Sequence, residues 1–342
     1  MKRIFSLLMV FSIIFFIVGC SGSNTSSSNE NNSSGTSNEG KTESSGPSYP
    51  EREITLIVPY SPGGGYDTAA RMLAPYWEKY LPNDVSIVVE NKPGGNGNIA
   101  LGELATAGTE GYTVGLVNIP GHFVNQVLGT ASYDLTELNY IGNITKTIYV
   151  AGASKKSGYT TLEDFQNAEE IIAGITNISS TDGLGVLLSA ENLGVNVKTI
   201  NHKGSTEAIL SATRGDVNWV QFPVESLSSQ FDSGEIQPLW VYNNERLPEL
   251  PDVPTIAELG HEELLDSIAM YRVIAAPPGT PDDILTILRE SFMKAVNDEE
   301  YKQKVEESGA LWNPGDHVQV EKAVNDSLEM LKPHKQLLEE NS

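Results

Sequence analysis

The chain has 342 residues, 45 Asp and Glu against 22 Lys and Arg, a formal charge of −23 and a single cysteine. At roughly 150 residues per domain, that length predicts about two lobes. With no surplus of cations to neutralise phosphates, the charge excludes a nucleic-acid binder and disfavours docking to an anionic membrane through a basic surface. One cysteine excludes an intrachain disulfide and cysteine-based zinc or iron–sulfur sites.

Lys2 and Arg3 precede an apolar run from Ile4 to Val18 that only Ser6 and Ser12 interrupt. The run falls short of the about 20 residues that cross a bilayer comfortably, and its length and basic flank are those of a secretory signal, here residues 1–19. It closes on Ile17-Val18-Gly19-Cys20, which resembles a bacterial lipobox with Cys20 as the acylated first residue of the mature chain. A free cysteine at the end of a membrane-anchoring segment is the alternative. Of residues 21–50, 20 are Ser, Asn or Gly. Such a segment cannot bury enough apolar surface to offset its conformational entropy, so residues 20–50 read as a lipidated, flexible leash. The expectation is an extracytoplasmic protein anchored by lipid to the outer face of a cell membrane, the leash length suggesting a Gram-positive surface.

Past Glu53 the pattern changes. Ile54 to Val58 is an apolar, β-branched run that predicts a buried strand. Pro59 to Gly65 breaks it, and Asp67 is placed to cap a helix running through Trp77. A second strand over 85–89, the loop Asn91 to Gly97 and a helix opened by Asn98 repeat the unit. A third runs from a strand over 113–117 through Asn118-Ile119-Pro120-Gly121 into a helix near His122. In the second half, strands are predicted at 170–174, 197–200 and 217–222, and helices at 182–193, with Asp182 as a cap, and 206–213. Apolar spacing predicts two surface helices at 285–295 and 318–331. Strands alternating with helices imply an α/β fold, with parallel-rich sheets and helices on both faces.

Each strand thus ends in a loop that feeds a helix amino end. In open α/β sheets ligands settle in that crevice. Helix amino ends carry unpaired N–H groups and roughly half a positive charge each, so several of them converging favour an anion. A chain of charge −23 can therefore still hold a carboxylate, because surface charges are screened beyond about 8–10 Å.

Motifs for catalysis are weak. Gly95 to Ala100 fits G-x-G-x-x-A after a strand, but Pro93 intervenes and no acidic residue ends a second strand some twenty residues on. Gly63-Gly64-Gly65 lacks the Gly-Lys-Ser/Thr of a phosphate loop. Ser291-Phe292-Met293-Lys294 matches S-x-x-K without its companion motifs and lies on an amphipathic helix. The five histidines show no metal spacing. His122 and His202 fall in crevice loops, where a hydrogen-bonding wall residue is the plain reading and catalysis the alternative.

Together these motifs resemble the substrate-binding proteins of tripartite tricarboxylate transporters, also called Bug receptors. Ile57-Val58-Pro59-Tyr60, Gly63-Gly64-Gly65-x-Asp67 and Ala70-Arg71 look like the opening signature. Val89 to Gly94 with Gly97-Asn98 looks like the second. His202-Lys203-Gly204-Ser205 is similar to a Tyr-Lys-Gly-Ser turn. Arg246, Leu250 to Thr255, Glu258 and Gly260 form a further match, and Ala275 to Pro281 resembles the tail signature. The resemblance implies a two-lobed periplasmic-binding-protein-like fold of type II. Lobe 1 would span 51–149 plus 270–342 and lobe 2 150–269, closing over a small organic acid.

By the same resemblance Tyr60, Ser61, Gly63, Gly64, Gly65 and Asp67 would form a first ligand loop, and Gly94, Gly95, Asn96 and Gly97 a second. Asn118, Gly121 and His122 would form a third. Lobe 2 would offer Ser179, Ser180, Thr181, Lys203, Gly204 and Ser205. Lys203 would either meet a distal carboxylate or brace the turn, and Asp67 and Arg71 would either touch ligand or serve as cap and scaffold. Three departures fall where specificity is read. Asn96 stands where the family usually has glycine, Asn177 to Gly183 replaces a Gly-Ser…Ser-x-x-His-Leu pattern, and Gln221-Phe222-Pro223 occupies the place of Phe-Asp. The expectation is a non-enzymatic, monomeric solute-binding lipoprotein without cofactor or metal. It would capture a di- or tricarboxylate and deliver it to one large and one small integral membrane subunit. A ligand-presenting co-receptor for a sensor kinase and a surface hydrolase are the alternatives.

Overall fold

The computed structural model describes residues 48–268, 270–308 and 310–341. The expected signal, Cys20 and almost all of the leash lie outside the described residues. The leash was expected through Pro50, but the folded body already includes its last two residues. Tyr49 is buried, donates its hydroxyl to the Gly111 carbonyl at 2.6 Å and packs its ring 5.3 Å from that of Tyr112.

In chain order the first elements are β1 (Ile54–Val58), α1 (Gly65–Tyr80), β2 (Ile87–Asn91), α2 (Asn98–Ala105), β3 (Thr113–Ile119), α3 (Phe123–Val127) and β4 (Asn139–Thr147). Next come β5 (Tyr149–Ser154), α4 (Leu162–Gln166), β6 (Ile171–Ile175), α5 (Thr181–Leu193), β7 (Val197–Asn201), α6 (Ser205–Arg214), β8 (Trp219–Pro223), α7 (Val224–Asp232) and β9 (Ile236–Val241). The last are α8 (Leu264–Ser267), β10 (Met270–Ala276), α9 (Asp282–Val296), α10 (Glu299–Glu307), β11 (Gly315–Asp316), α11 (His317–Leu331) and α12 (Lys335–Glu340).

Two sheets result, ordered β11-β4-β10-β3-β1-β2 and β7-β6-β8-β5-β9. Each contains a parallel trio, β2-β1-β3 and β7-β6-β8, joined by the crossover helices that parallel pairing requires. Every strand of both trios is one that apolar runs predict. The remaining strands pair antiparallel, so the sheets are mixed rather than parallel throughout. β4 and β10 escape the sequence pattern because they carry Asn, Thr and Arg in positions that only the sheet interior conceals.

The chain passes between the sheets twice. Thr147 ends β4 and Tyr149 begins β5, leaving Ile148 alone between them; the return brings the chain from β9 back to β10. These passages are neighbours, since Met270 pairs with Thr147 and the Tyr149 hydroxyl lies 3.5 Å from Met270 Sδ.

Aromatic side chains anchor each body. Trp77 meets Phe292 edge to face at 5.6 Å and donates its indole N–H to Ser291 Oγ at 2.9 Å, which locks α1 onto α9. In the second body Phe165 stands edge-on to Trp219 at 5.6 Å and to Trp240 at 5.8 Å, and all three are fully buried. Phe165→Ala should therefore cost about 3–5 kcal/mol, as aromatic truncation in a closed core does. Urea unfolding followed by tryptophan fluorescence measures this, and a loss below about 1 kcal/mol would mean that the cluster repacks freely.

Candidate functional site

The loops after β1, β3, β6 and β7, together with the end of β8, converge between the two sheets. They enclose a cavity of about 310 Å³. Tyr60, Tyr66, Asn118 and Arg272 line it from the first sheet, and Thr176, Ser180, Thr181 and Ser205 from the second. Another cavity, of about 280 Å³, lies against β4 and α11 near Lys146 and Gln319, away from these loops.

A neutral polar network forms the first wall. His122 is fully buried, and burial pushes its pKa down to about 3. The Asn118 backbone N–H donates to its Nδ1 at 3.0 Å, so the ring proton sits on Nε2, 3.0 Å from the Tyr60 hydroxyl. Asn118 Nδ2 also donates to that hydroxyl, at 3.1 Å. With two donors accepted, Tyr60 has its own proton free to offer to the cavity. Both imidazole nitrogens are engaged, so His122 holds no lone pair with which to act as a base.

Glycine makes this approach geometrically feasible. Gly97 has φ +88, and a Cβ there would stand 2.5 Å from His122 Nε2. Asn96, beside it at φ +49, adopts the left-handed region that asparagine tolerates. Its side chain reaches across to the other sheet's loops and donates to the Ser179 carbonyl at 2.9 Å. A second bond crosses deeper, from Thr181 Oγ1 to Asn118 Oδ1 at 3.2 Å.

Of the residues assigned to the ligand loops, Tyr60, Gly65, Asn118, Ser180, Thr181 and Ser205 line the cavity. His122, Gly97 and Gly121 are buried behind that wall, while Ser61, Gly63, Gly64, Gly94 and Gly95 are solvent-exposed. Asn96 and Ser179 meet where the loops of the two sheets touch, and Gly204 is half-buried ahead of Ser205.

Two capping assignments need correction. Asp67 is not the cap of α1. It lies inside the first turn, buried, and accepts from the Gly63 N–H at 2.8 Å and from Arg71 Nε at 2.9 Å. The Gly63 N–H, then Asn91 and Arg71, hold its carboxyl below the usual range. Asp182 does not cap α5 either: Ser180 does, and Asp182 instead pins the loop by accepting from Thr176 N at 2.6 Å and Thr176 Oγ1 at 2.7 Å. Lys203 is exposed and absent from the cavity wall, its backbone N–H donating to Glu207 at 2.8 Å.

Tyr66, Tyr149, Met270 and Arg272 also line the cavity, although no motif pointed to them. Arg272 had a legible signal, being the lone cation in the otherwise uncharged run Met270 to Ala276. It donates from Nη1 to Thr147 Oγ1 at 2.9 Å, and its guanidinium stands 5.3 Å from the Tyr66 ring centre. Arg272 Nε and the Tyr66 hydroxyl are buried without a hydrogen-bond partner among the described residues.

The sequence profile of the tripartite tricarboxylate transporter family receptors (TctC) matches residues 69–340. A UPF0065 protein of Bordetella pertussis is 27% identical over 273 residues, which is 78% of this chain and 83% of that protein. BugT of the same organism is 27% identical over 256 residues, 72% and 77% of the two chains. Among solved structures, the periplasmic binding protein BugD superposes with a TM-score of 0.70 at 25% identity, covering 84% of this chain and 98% of its own. An adipate-bound protein of R. palustris gives 0.70 at 26% identity, covering 85% and 98%.

The depressed pKa of His122 has a thermodynamic signature. Below pH 6.5 the unfolded chain protonates this ring while the folded chain does not until about pH 3, so acidification through that window favours unfolding. His122→Gln should reduce the slope of stability against pH between 5.5 and 4 by about one proton, or ~1.4 kcal/mol per pH unit. Urea titrations across the window check this, and an unchanged slope would mean that the ring is charged in the fold.

Proposed function

The chain belongs to the TctC family of tripartite tricarboxylate transporter receptors, and from that premise we propose that it captures a small di- or tricarboxylate by lobe closure and delivers it to a membrane transporter. The observation that carries this reading is that the cavity wall is shared. Hydroxyls and helix amino ends from both sheets face one space, the Thr181–Asn118 bond joins its two walls, and the Asn96–Ser179 bond links loops of the two sheets outside it. A ligand touching both walls favours the closed arrangement over the open one, which is all that closure requires. Adipate in the R. palustris relative supports a carboxylate.

In this reading lobe 1 is residues 51–149 plus 270–342 and lobe 2 is 150–269. The paired passages at Thr147 and Met270 act as the hinge. Cys20 carries the lipid, and the Ser/Asn/Gly-rich segment after it tethers the body outside the membrane, within reach of one large and one small membrane subunit. A hydrolase would need a base, and the engaged nitrogens of His122 argue against that role.

Thermal unfolding with citrate, tartrate, succinate, glutarate, adipate, glutamate and an aromatic diacid tests the receptor reading. At 100 times its Kd the right acid adds about 2.7 kcal/mol and raises the Tm by several degrees. No shift with any of them, in protein shown to be ligand-free, would count against a carboxylate receptor. Asn96→Gly keeps the backbone at ease but removes the bond to Ser179, so it should weaken binding about 3- to 10-fold, mainly through faster release. Stopped-flow release rates measure this, and unaltered rates would mean that the bond does not hold the closed state.

A further inference from the structure

Arg272 exposes only 9% of its surface, yet no Asp or Glu oxygen lies within 4.0 Å of its nitrogens among the described residues. Among the described residues its hydrogen bond is the one to Thr147, and Nε is buried without a partner. A buried guanidinium left unpaired is costly, and folds tolerate it where an anion completes the pairing. The surroundings are suited to that anion. Arg272 lines the shared cavity, and its Nη2 lies 3.5 Å from where a Cβ on Gly65 would stand. Gly65 is the first residue of α1, a 16-residue helix whose capping position, Gly64, has no side chain to occupy the first-turn N–H groups.

We propose that Arg272 is the counter-charge for one carboxylate of the ligand, which seats between the guanidinium and the first turn of α1. This rests on the carboxylate-receptor reading and adds to it the residue that selects for charge. A guanidinium presents two parallel N–H donors to a planar carboxylate, a geometry that a neutral amide or an ester cannot match. Glu225 is the acid that opposes it. Glu225 shares with Arg272 a neighbouring cavity of about 200 Å³, and its Oε2 is buried without a hydrogen-bond partner among the described residues. Burial pushes its carboxyl up and Arg272 pulls it down, so when ionised it competes with the ligand for the same cation. Asp182, which also lines the shared cavity, is held by Thr176.

The arrangement predicts opposite signs for two substitutions. Calorimetry and thermal unfolding with the panel acid that gives the largest wild-type shift provide the readout. Arg272→Met should weaken that acid about a hundredfold. Arg272→Lys should retain part of the affinity. Glu225→Gln should tighten binding a few-fold, and this variant decides the matter if Arg272→Met does not fold. Lys203→Ala, outside the cavity, should bind as wild type.

Arg272→Met binding within threefold of wild type would overturn the assignment, as would Glu225→Gln weakening or not changing it. Loss of binding in Lys203→Ala with Arg272→Met intact would transfer the role to Lys203. If wild-type protein shifts with no acid, the receptor reading fails first, and that failure is visible without any variant.

Discussion

The chain leaves the first sheet and re-enters it at adjacent points, and this one constraint organises the molecule. Thr147 closes β4 and pairs with Met270, which opens β10, so both passages lie side by side at the base of the cleft. The aromatic clusters around Trp77 and Phe165, one on each sheet, belong to a single continuous buried core that runs past this junction. The same junction fixes Arg272, which stands two residues into β10 and is bonded to Thr147 across the ladder. The junction between the sheets and the cavity's cation are therefore parts of one local structure.

Around that base the walls are largely neutral. His122 is held uncharged by burial, its proton directed at Tyr60, and Tyr60 is thereby left as a donor toward the cavity. Asp182, pushed up by burial, is committed to the loop before α5. Among the described residues Arg272 is the one cation that lines this cavity, with Asp182 in the same wall and Glu225 in the neighbouring cavity. A formal charge of −23 is spread over the exterior and screened within about 8–10 Å, whereas buried donors act at contact distance.

Two contacts between the sheets have different characters. The Thr181–Asn118 bond joins side chains deep in the wall, and Asn118 also positions both Tyr60 and His122. The second sheet's wall is thus linked to the network of the first through one asparagine. The Asn96–Ser179 bond is peripheral, made by a residue at positive φ where a glycine would be the relaxed choice. Placing a side chain there gains a bond between loops of the two sheets.

Local pattern alone was enough to locate the parallel trios. Ile54 to Val58 and Ile171 to Ile175 are apolar runs followed by turn-forming loops and helices, and such runs declare buried strands regardless of context. The glycine-rich loops were legible for the same reason, and Tyr60, Asn118 and Thr181 were singled out within the crevice only by the family resemblance. Capping was less legible. Asp67 and Asp182 occupy helix first turns, where an acidic residue is favoured, yet each carboxylate folds back onto a preceding loop N–H, a choice made by backbone geometry that no spacing encodes. Lys203, the lone cation expected on the crevice's second side to meet a distal carboxylate or brace the turn, is exposed and outside the cavity lining. Arg272 is the converse case, a charge in an uncharged segment whose partners come from residues more than a hundred positions away. Sequence by itself determined the α/β units, the loops and the family to which they belong. Only the tertiary structure decided which charge faces the cavity, because burial and pairing depend on the antiparallel insertion of β10 between β3 and β4, a long-range event with no local signature.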